Sequence, residues 1–556
     1  MRKKHARKRR FHNTLTLNNR YIAAMSASVS LLWVIYILPI ITPLFFTTDP
    51  LDTKQTIVKL CITGSFFIIF SAAIFFILRF ISKGFIEKDK FYKKWLLFTG
   101  VGFGINLILF ILIYPGHWVS DEYILLNQLE LYRLETWQHI FTYLFYAYSL
   151  YIVPTAPMIV FVQFTIMSFI FGYIIAKAHT TFKTKWLTWL LFIPMLTPPI
   201  LLNDLYPLRT PLYAYILLLF LFNLLLLFKS RPKNPCTTLA GFVVLLCILA
   251  FWRSEGVVLL ISLPIIFFKL GLLNIKSRRF YIATTATLLA LCMSYTITAI
   301  TNKPEYTITA TLNPLSVLLT NTSIRETSAK QIEIIDKVIN VDSVVSKSSY
   351  TDIPSFWRVD GKRPALRDNF EENLTGYTPS VISIFLQNPA EFIKARAMTF
   401  AAATGLDPNN PYATLSGVYM QHGIGDASED VKLDTFYSQN KFSQPISYTI
   451  KRSVTQSLLM VDEYGRSTPL RAIVWTPLPI AIGIIVLIIT AGIKRLWGWV
   501  IILSLLISTM LIIFFAVPAS YFMYYIPFYF VGLFFIVYAL ILLADRKKTI
   551  QKHVRM

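Results

Sequence analysis

The chain has 556 residues, of which 55% are hydrophobic, 15% aromatic and only 15% charged, with a mean hydropathy of +0.57 and a net charge of +24. Soluble domains run nearer a quarter charged, so the composition argues against a soluble enzyme, a disordered tail protein and a secreted disulfide scaffold. Long apolar runs recur from Tyr21 to Ala544, too many for a signal peptide plus one anchor, and point to a polytopic membrane protein.

Twelve spans are expected in chain order, at 21–46, 57–81, 96–114, 155–177, 186–202, 211–228, 238–251, 257–270, 280–300, 472–492, 496–517 and 523–543. The implied organisation is a basic tail (1–20), a module of about nine spans (21–300) with an outer loop at 115–154, an outer domain (301–471), three further spans (472–543) and a second basic tail (544–556). Lys and Arg fall on every second connection, beginning with the N-terminal tail. That side collects 31 of the 53 cations and only Glu87, Asp89 and Asp545 among the acids. By the positive-inside rule both termini are cytoplasmic, and the basicity reflects topology and anionic lipid, with no nucleic-acid partner. Cys61, Cys236, Cys247 and Cys292 lie in or beside spans and form no metal knuckle, so they read as small core residues.

Ionisable groups gather in the connections of the other side. The loop Tyr114–His139 reads YPGHWVSDEYILLNQLELYRLETWQH. Pro115-Gly116 marks a turn at the membrane surface, and Ser120 or Asp121 is a natural N-cap for a helix running through Leu134. Asp121 and Glu122 would complement the dipole of that helix. His117, Trp118, Trp137, Gln138 and His139 suit a headgroup-level aromatic belt. Asn203, Asp204 and Arg209 follow in NDLYPLRTP. Arg253 and Glu255 stand in WRSEG between two spans of only about fourteen residues, which keeps Arg253 at or below the surface. Ionisable groups at such depth face a partner or a cavity. An Arg253–Glu255 or Arg253–Asp121 pair would be the structural explanation, and a bound phosphate the functional one.

The outer domain should hold a helix over Arg325–Ile339, with Ile332, Ile335, Val338 and Ile339 at helical spacing, and a second from Asn388-Pro389 through Phe400. Stretches 350–367 and 407–430 read as loop.

These segments resemble the GT-C superfamily of membrane glycosyltransferases, which use polyprenyl-phosphate-linked sugars. The resemblance rests on PGHWVSDEYILLNQ with WQH downstream, on NDLYP, on RSEG and on NPAEFIKARAMTF, and spans roughly Tyr114 to Thr399. Two positions depart from the related bacterial branch: Met523 stands where an Arg-Tyr pair is common near the last span, and Ile140 follows His139 where an HP-like pair is usual. The resemblance implies an all-α, GT-C-like fold of about 12 transmembrane helices with a mixed α outer domain, in a bacterial plasma membrane. It implies transfer of a sugar, with inversion, to a cell-envelope glycan, lipid or protein on the extracytoplasmic face. Asp121 would be the general base and Glu122 its understudy. Arg253, Arg209 and His139 would hold the donor phosphate, and Asp204, Gln128 and His117 would bind substrate. No protein-only metal site is expected; the open alternative is an oxygen-ligated Mg²⁺ or Mn²⁺ shared by Asp121 or Asp204 with the substrate phosphate. No phosphate-cradling glycine loop occurs, in keeping with a lipid-linked donor.

Three rivals stand beside this reading: a transporter or lipid flippase, a surface-polysaccharide polymerase or ligase using Arg358, Arg363, Arg367 and His422, and an inactive scaffold. Geometry separates them. The enzyme needs Asp121 and Arg253 around one cavity, whereas Arg253 neutralised by Glu255 in packed protein favours a transporter or scaffold.

Overall fold

The computed structural model describes residues 19–47, 50–118, 120–133, 139–273, 277–301, 305–351, 365–404, 406–407, 444–462 and 468–554. Among these residues the only β-type pairing is an isolated bridge between Ile339 and Leu366. Everything else regular is helical.

The first module comprises α1 (Asn19–Phe45), α2 (Thr53–Ile81), α3 (Lys90–Leu112), α4 (Ser120–Glu130), α5 (Ile140–Ile152), α6 (Pro157–Thr181), α7 (Pro198–Asp204), α8 (Arg209–Lys229), α9 (Pro235–Trp252), α10 (Leu263–Leu270) and α11 (Arg278–Thr301). The segment expected to be the outer one supplies α12 (Glu305–Leu318), α13 (Thr322–Thr327), α14 (Ala329–Asp336), α15 (Val341–Ser346), α16 (Phe370–Gln387), α17 (Pro389–Ala403) and α18 (Tyr448–Leu459). The chain closes with α19 (Arg471–Val474), α20 (Leu478–Ile493), α21 (Trp497–Ala516) and α22 (Ile526–Val554).

Ten of the described helices are long and apolar enough to cross a bilayer, which makes this an all-α multi-pass membrane fold. They match ten of the twelve expected spans. The two others, at 186–202 and 257–270, are broken. The first is a 3₁₀ segment, Lys185–Phe192, followed by turns and the short α7. Pro194, Pro198 and Pro199 withhold three N–H donors there, so a continuous α-helix cannot form. The second is a 3₁₀ segment, Ser254–Ser262, running into α10. It presses so closely on α9 that a Cβ at Gly256 would collide with the Leu249 carbonyl.

Helix α8 is apolar on every side and forms the centre of the bundle: 78% of its apolar window is buried, against 6% for the peripheral, Thr-rich α11. The connections sort to two ends. At one, Lys177 lies over Phe91, Lys229 donates to Tyr538, Lys269 lies over Phe228, and the Asp545 carboxylate accepts from the Lys183 and Thr184 N–H groups. These are the loops that the charge pattern assigned to one side.

The outer segment has its own core, built from residues such as Leu312, Leu315, Ile335, Tyr377 and Ile384. The expected helix over 325–339 is broken at Ser328 into α13 and α14. The second expected helix is α17, with Asn388 as its N-cap. Arg396 of α17 fastens this domain to the bundle. Fully buried, it donates to the carbonyls of Phe514 (2.9 Å) and Val517 (2.6 Å) at the C-terminal end of α21. Those carbonyls have no intrahelical partner, and a cation there also complements the helix dipole.

Candidate functional site

The site begins at the turn after α3. Gly116 has φ +99°, and a Cβ there would stand 2.9 Å from the Leu205 carbonyl and 3.0 Å from Val160, so only glycine fits. The Gly116 N–H bonds the Ile113 carbonyl, and the His117 N–H bonds the Leu205 carbonyl, each at 3.0 Å. Trp118 donates to the Pro115 carbonyl and packs edge-on against Tyr146 of α5, whose hydroxyl reaches the Pro207 carbonyl at 2.8 Å. The turn is thereby joined to the α7–α8 connection.

Helix α4 starts from this turn. Glu122, Leu125, Leu126 and Leu129 are buried on one face at helical spacing, so Glu122 points into the protein with no exposed surface. Gln128 is half-buried, and its Oε1 has no hydrogen-bond partner among the described residues. His117 is buried beside the turn. The Asp121 side chain lies outside what is described, as do Trp137 and Gln138.

A second group forms where α8 starts and α9 ends. Arg209 donates to the carbonyl of Trp252, the last residue of α9, at 3.2 Å. In return Arg253 donates to the Thr210 hydroxyl. Arg253 also pairs with Glu255, and its guanidinium lies 5.6 Å from the Tyr213 ring centroid. Tyr213 is buried, and its hydroxyl has no hydrogen-bond partner among the described residues. Trp252 Nε1 donates to Thr142 of α5 at 2.8 Å. Arg253 and Glu255 are both buried, which is the arrangement that the structural explanation of WRSEG required. Arg209 keeps part of its surface exposed.

His139 caps α5. Its Nδ1 accepts from the Phe141 N–H at 3.2 Å, and its Nε2 lies 2.9 Å from the Thr298 hydroxyl. That hydroxyl donates to the Ser294 carbonyl, so Nε2 carries the proton. Burial, reinforced by Arg209, lowers the imidazole to about 3. It is neutral near pH 7 and adds no cation for a phosphate.

Asp204 is turned away from this group. Its carboxylate accepts from Tyr215 at 2.7 Å, and Gln163 secures the backbone around it by donating to the carbonyls of Asp204 and Tyr206. Asp204 thus braces the α7–α8 junction. Met523 packs on Tyr206 and Leu208 of the same connection.

The sequence-predicted residues therefore separate. Arg209, Arg253 and His139 come together; His117, Glu122 and Gln128 line the neighbouring turn and helix; Asp204 is occupied within the core. Arg367 forms an exposed pair with Asp336 at 2.7 Å in the outer domain, while Arg358, Arg363 and His422 lie outside the described residues. Sequence reading passed over Thr210, Tyr213 and Lys451. Lys451 alone left a legible signal, because it shares an i, i+4, i+8 face with Thr455 and Leu459. No group of three His, Cys, Asp or Glu able to hold a metal occurs among the described residues.

An open pocket of about 430 Å³ lies between the start of α7 and helices α20 and α22. Leu196, Thr197, Pro198, Val474, Thr476 and Tyr529 are among its lining residues, and no lining residue is charged. No protein-family model matches the chain, and no curated protein or solved structure matches it. The class that the fold itself defines is a many-pass helical membrane protein.

Proposed function

We propose that this protein is a membrane glycosyltransferase that moves a sugar from a polyprenyl-phosphate donor to a cell-envelope acceptor. The observation that carries the reading is that the acid-bearing helix α4 packs on α5, which Thr142 in turn joins to Trp252 beside the Arg209–Arg253 group. In this reading a carboxylate of α4, Asp121 or Glu122, takes the proton of the acceptor hydroxyl. The acceptor oxygen attacks the anomeric carbon, the bond from that carbon to the phosphate oxygen breaks, and polyprenyl phosphate leaves. Arg209, still partly exposed, is the cation that meets the leaving phosphate. Arg253, engaged by Glu255 and Thr210, holds the first turn of α8 and so positions Arg209. The apolar cavity has the chemistry that an isoprenoid chain needs.

By the criterion drawn from the sequence, Arg253 neutralised by Glu255 in packed protein favours a transporter or scaffold, and the transferase reading stands beside it only by assigning the phosphate to Arg209. Two passes are discontinuous, and the break after α9 carries a buried ion pair, as in helices that line a transport path. The deciding experiment reconstitutes the full-length protein with a panel of polyprenyl-phosphate sugars and membrane acceptors and follows release of polyprenyl phosphate. Release that is lost in Asp121→Asn or Glu122→Gln, at unchanged protein level, supports the transferase. Movement of labelled lipid across the bilayer without release, insensitive to both substitutions, replaces it with the flippase.

A further inference from the structure

We propose that Lys451 is a positioning residue for the acid-bearing helix: it ties the return helix of the outer segment, α18, to the turn from which α4 starts. The segment that follows the outer domain re-enters the bundle through α18, which packs on α7 and on the end of α3. Trp475 reinforces this return by donating to the Leu458 carbonyl at 3.2 Å. Lys451 lies on the buried face of α18 and is 6% exposed. Its Nζ donates to the Gly116 carbonyl at 2.9 Å, across 335 positions of sequence.

This bond completes the turn. The Gly116 N–H is held by α3 and the His117 N–H by the end of α7, and the Gly116 carbonyl is then taken by α18. The backbone is fixed from three elements a few residues before Glu122. Lys451 enters none of the ion pairs between described residues. A buried ammonium without a carboxylate is costly, and an apolar residue of the same length would fill the space more cheaply. What the lysine adds is the tie to Gly116.

Burial lowers Lys451 to about 7. The ionisable groups on the segments that pack against α18 are Asp204 on α7, already bound to Tyr215, and Tyr114, His117 and Glu122 in and beyond the turn, while Tyr448 and Arg452 share its own helix and Asp462 and Arg471 follow in the chain. The outer half of α3 carries none. A lysine with a lowered pKa in the closed state and an ordinary one when solvated makes opening take up a proton above pH 7. The tie therefore tightens as pH rises from about 7 and levels off below it.

The test is peptide-level hydrogen exchange over residues 113–118 in the full-length protein in nanodiscs, from pH 6 to pH 9, corrected for intrinsic exchange. Wild type should show constant protection below pH 7 and a gain approaching tenfold per pH unit above it. Lys451→Arg, whose guanidinium does not titrate in this range, should show no such gain, and neither should Lys451→Met. A flat wild-type profile, or a gain that persists in Lys451→Met, overturns the proposal. If Lys451→Met fails to fold, the contrast between wild type and Lys451→Arg decides. The proposal rests on the transferase reading only for the role of α4. A confirmed pH step stands even if no sugar transfer is found, and a missing step overturns it even if transfer is found.

Discussion

Around the junction of α3, α7, α8 and α9, Glu122, His139, Asp204, Arg253, Glu255 and Lys451 are all buried, and His139, Asp204, Arg253 and Lys451 bond to other segments. At the opposite end of the bundle, Arg79 and Glu87 pair with 28% and 32% of their side chains exposed, and Lys177, Lys229 and Lys269 lie over aromatic rings. Both ends are rich in ionisable residues, but the second keeps most of them in contact with water, Asp545 on the Lys183 and Thr184 N–H groups being its buried exception. Exposed cations at a bundle end need no explanation beyond topology. Buried ones are expensive and persist where a partner, a backbone tie or a ligand holds them. The difference in burial, rather than in charge, locates the candidate site.

Four experiments would break or sharpen that contrast. The largest effect is expected from Glu255→Gln, which strands Arg253 without its carboxylate: a loss of about 3–5 kcal/mol in detergent unfolding. The double substitution Arg253→Met with Glu255→Leu should recover most of that loss. If it also restores function, the pair is structural and Arg253 has no part in the chemistry. Next, Arg396→Met should cost about 2 kcal/mol by orphaning the Phe514 and Val517 carbonyls, and should speed proteolytic release of the outer domain. Unchanged proteolysis would mean that apolar packing alone docks the domain.

His139 should then give a pH signature. Its folded-state value is lowered to about 3, against an ordinary value near 6.5, so the unfolded chain binds the extra proton between them. Stability should fall by about 1 kcal/mol from pH 6 to pH 5, and His139→Gln should remove that component. A protein equally stable at both values would show that His139 is solvated. The smallest effect belongs to the opposite end: Arg79→Ala should change stability by under about 0.5 kcal/mol, and less in high salt.

Much of the membrane architecture was legible from hydrophobic length alone, because a bilayer demands about twenty apolar residues wherever a helix crosses. Glycine at 116 and proline at 115 announced a turn, and Asn388-Pro389 announced α17, since these residue types restrict the backbone locally. The two broken passes escaped that reading. Their composition is as apolar as a helix; in one the prolines cluster, and in the other Arg253 takes an extended backbone and Gly256 lies against the Leu249 carbonyl. The site was legible only as a list of outer acids and arginines.

The sequence by itself determined that this is a many-pass helical membrane protein, with one side's connections basic and ionisable groups gathered in the others, because hydropathy and charge bias act segment by segment. Only the tertiary structure decided that Arg253 pairs with Glu255 and Thr210, that Asp204 serves Tyr215, and that Lys451 returns to Gly116. Those partners are distant in sequence or compete with equally plausible neighbours. The choice among them depends on how desolvated charges are matched when the helices pack.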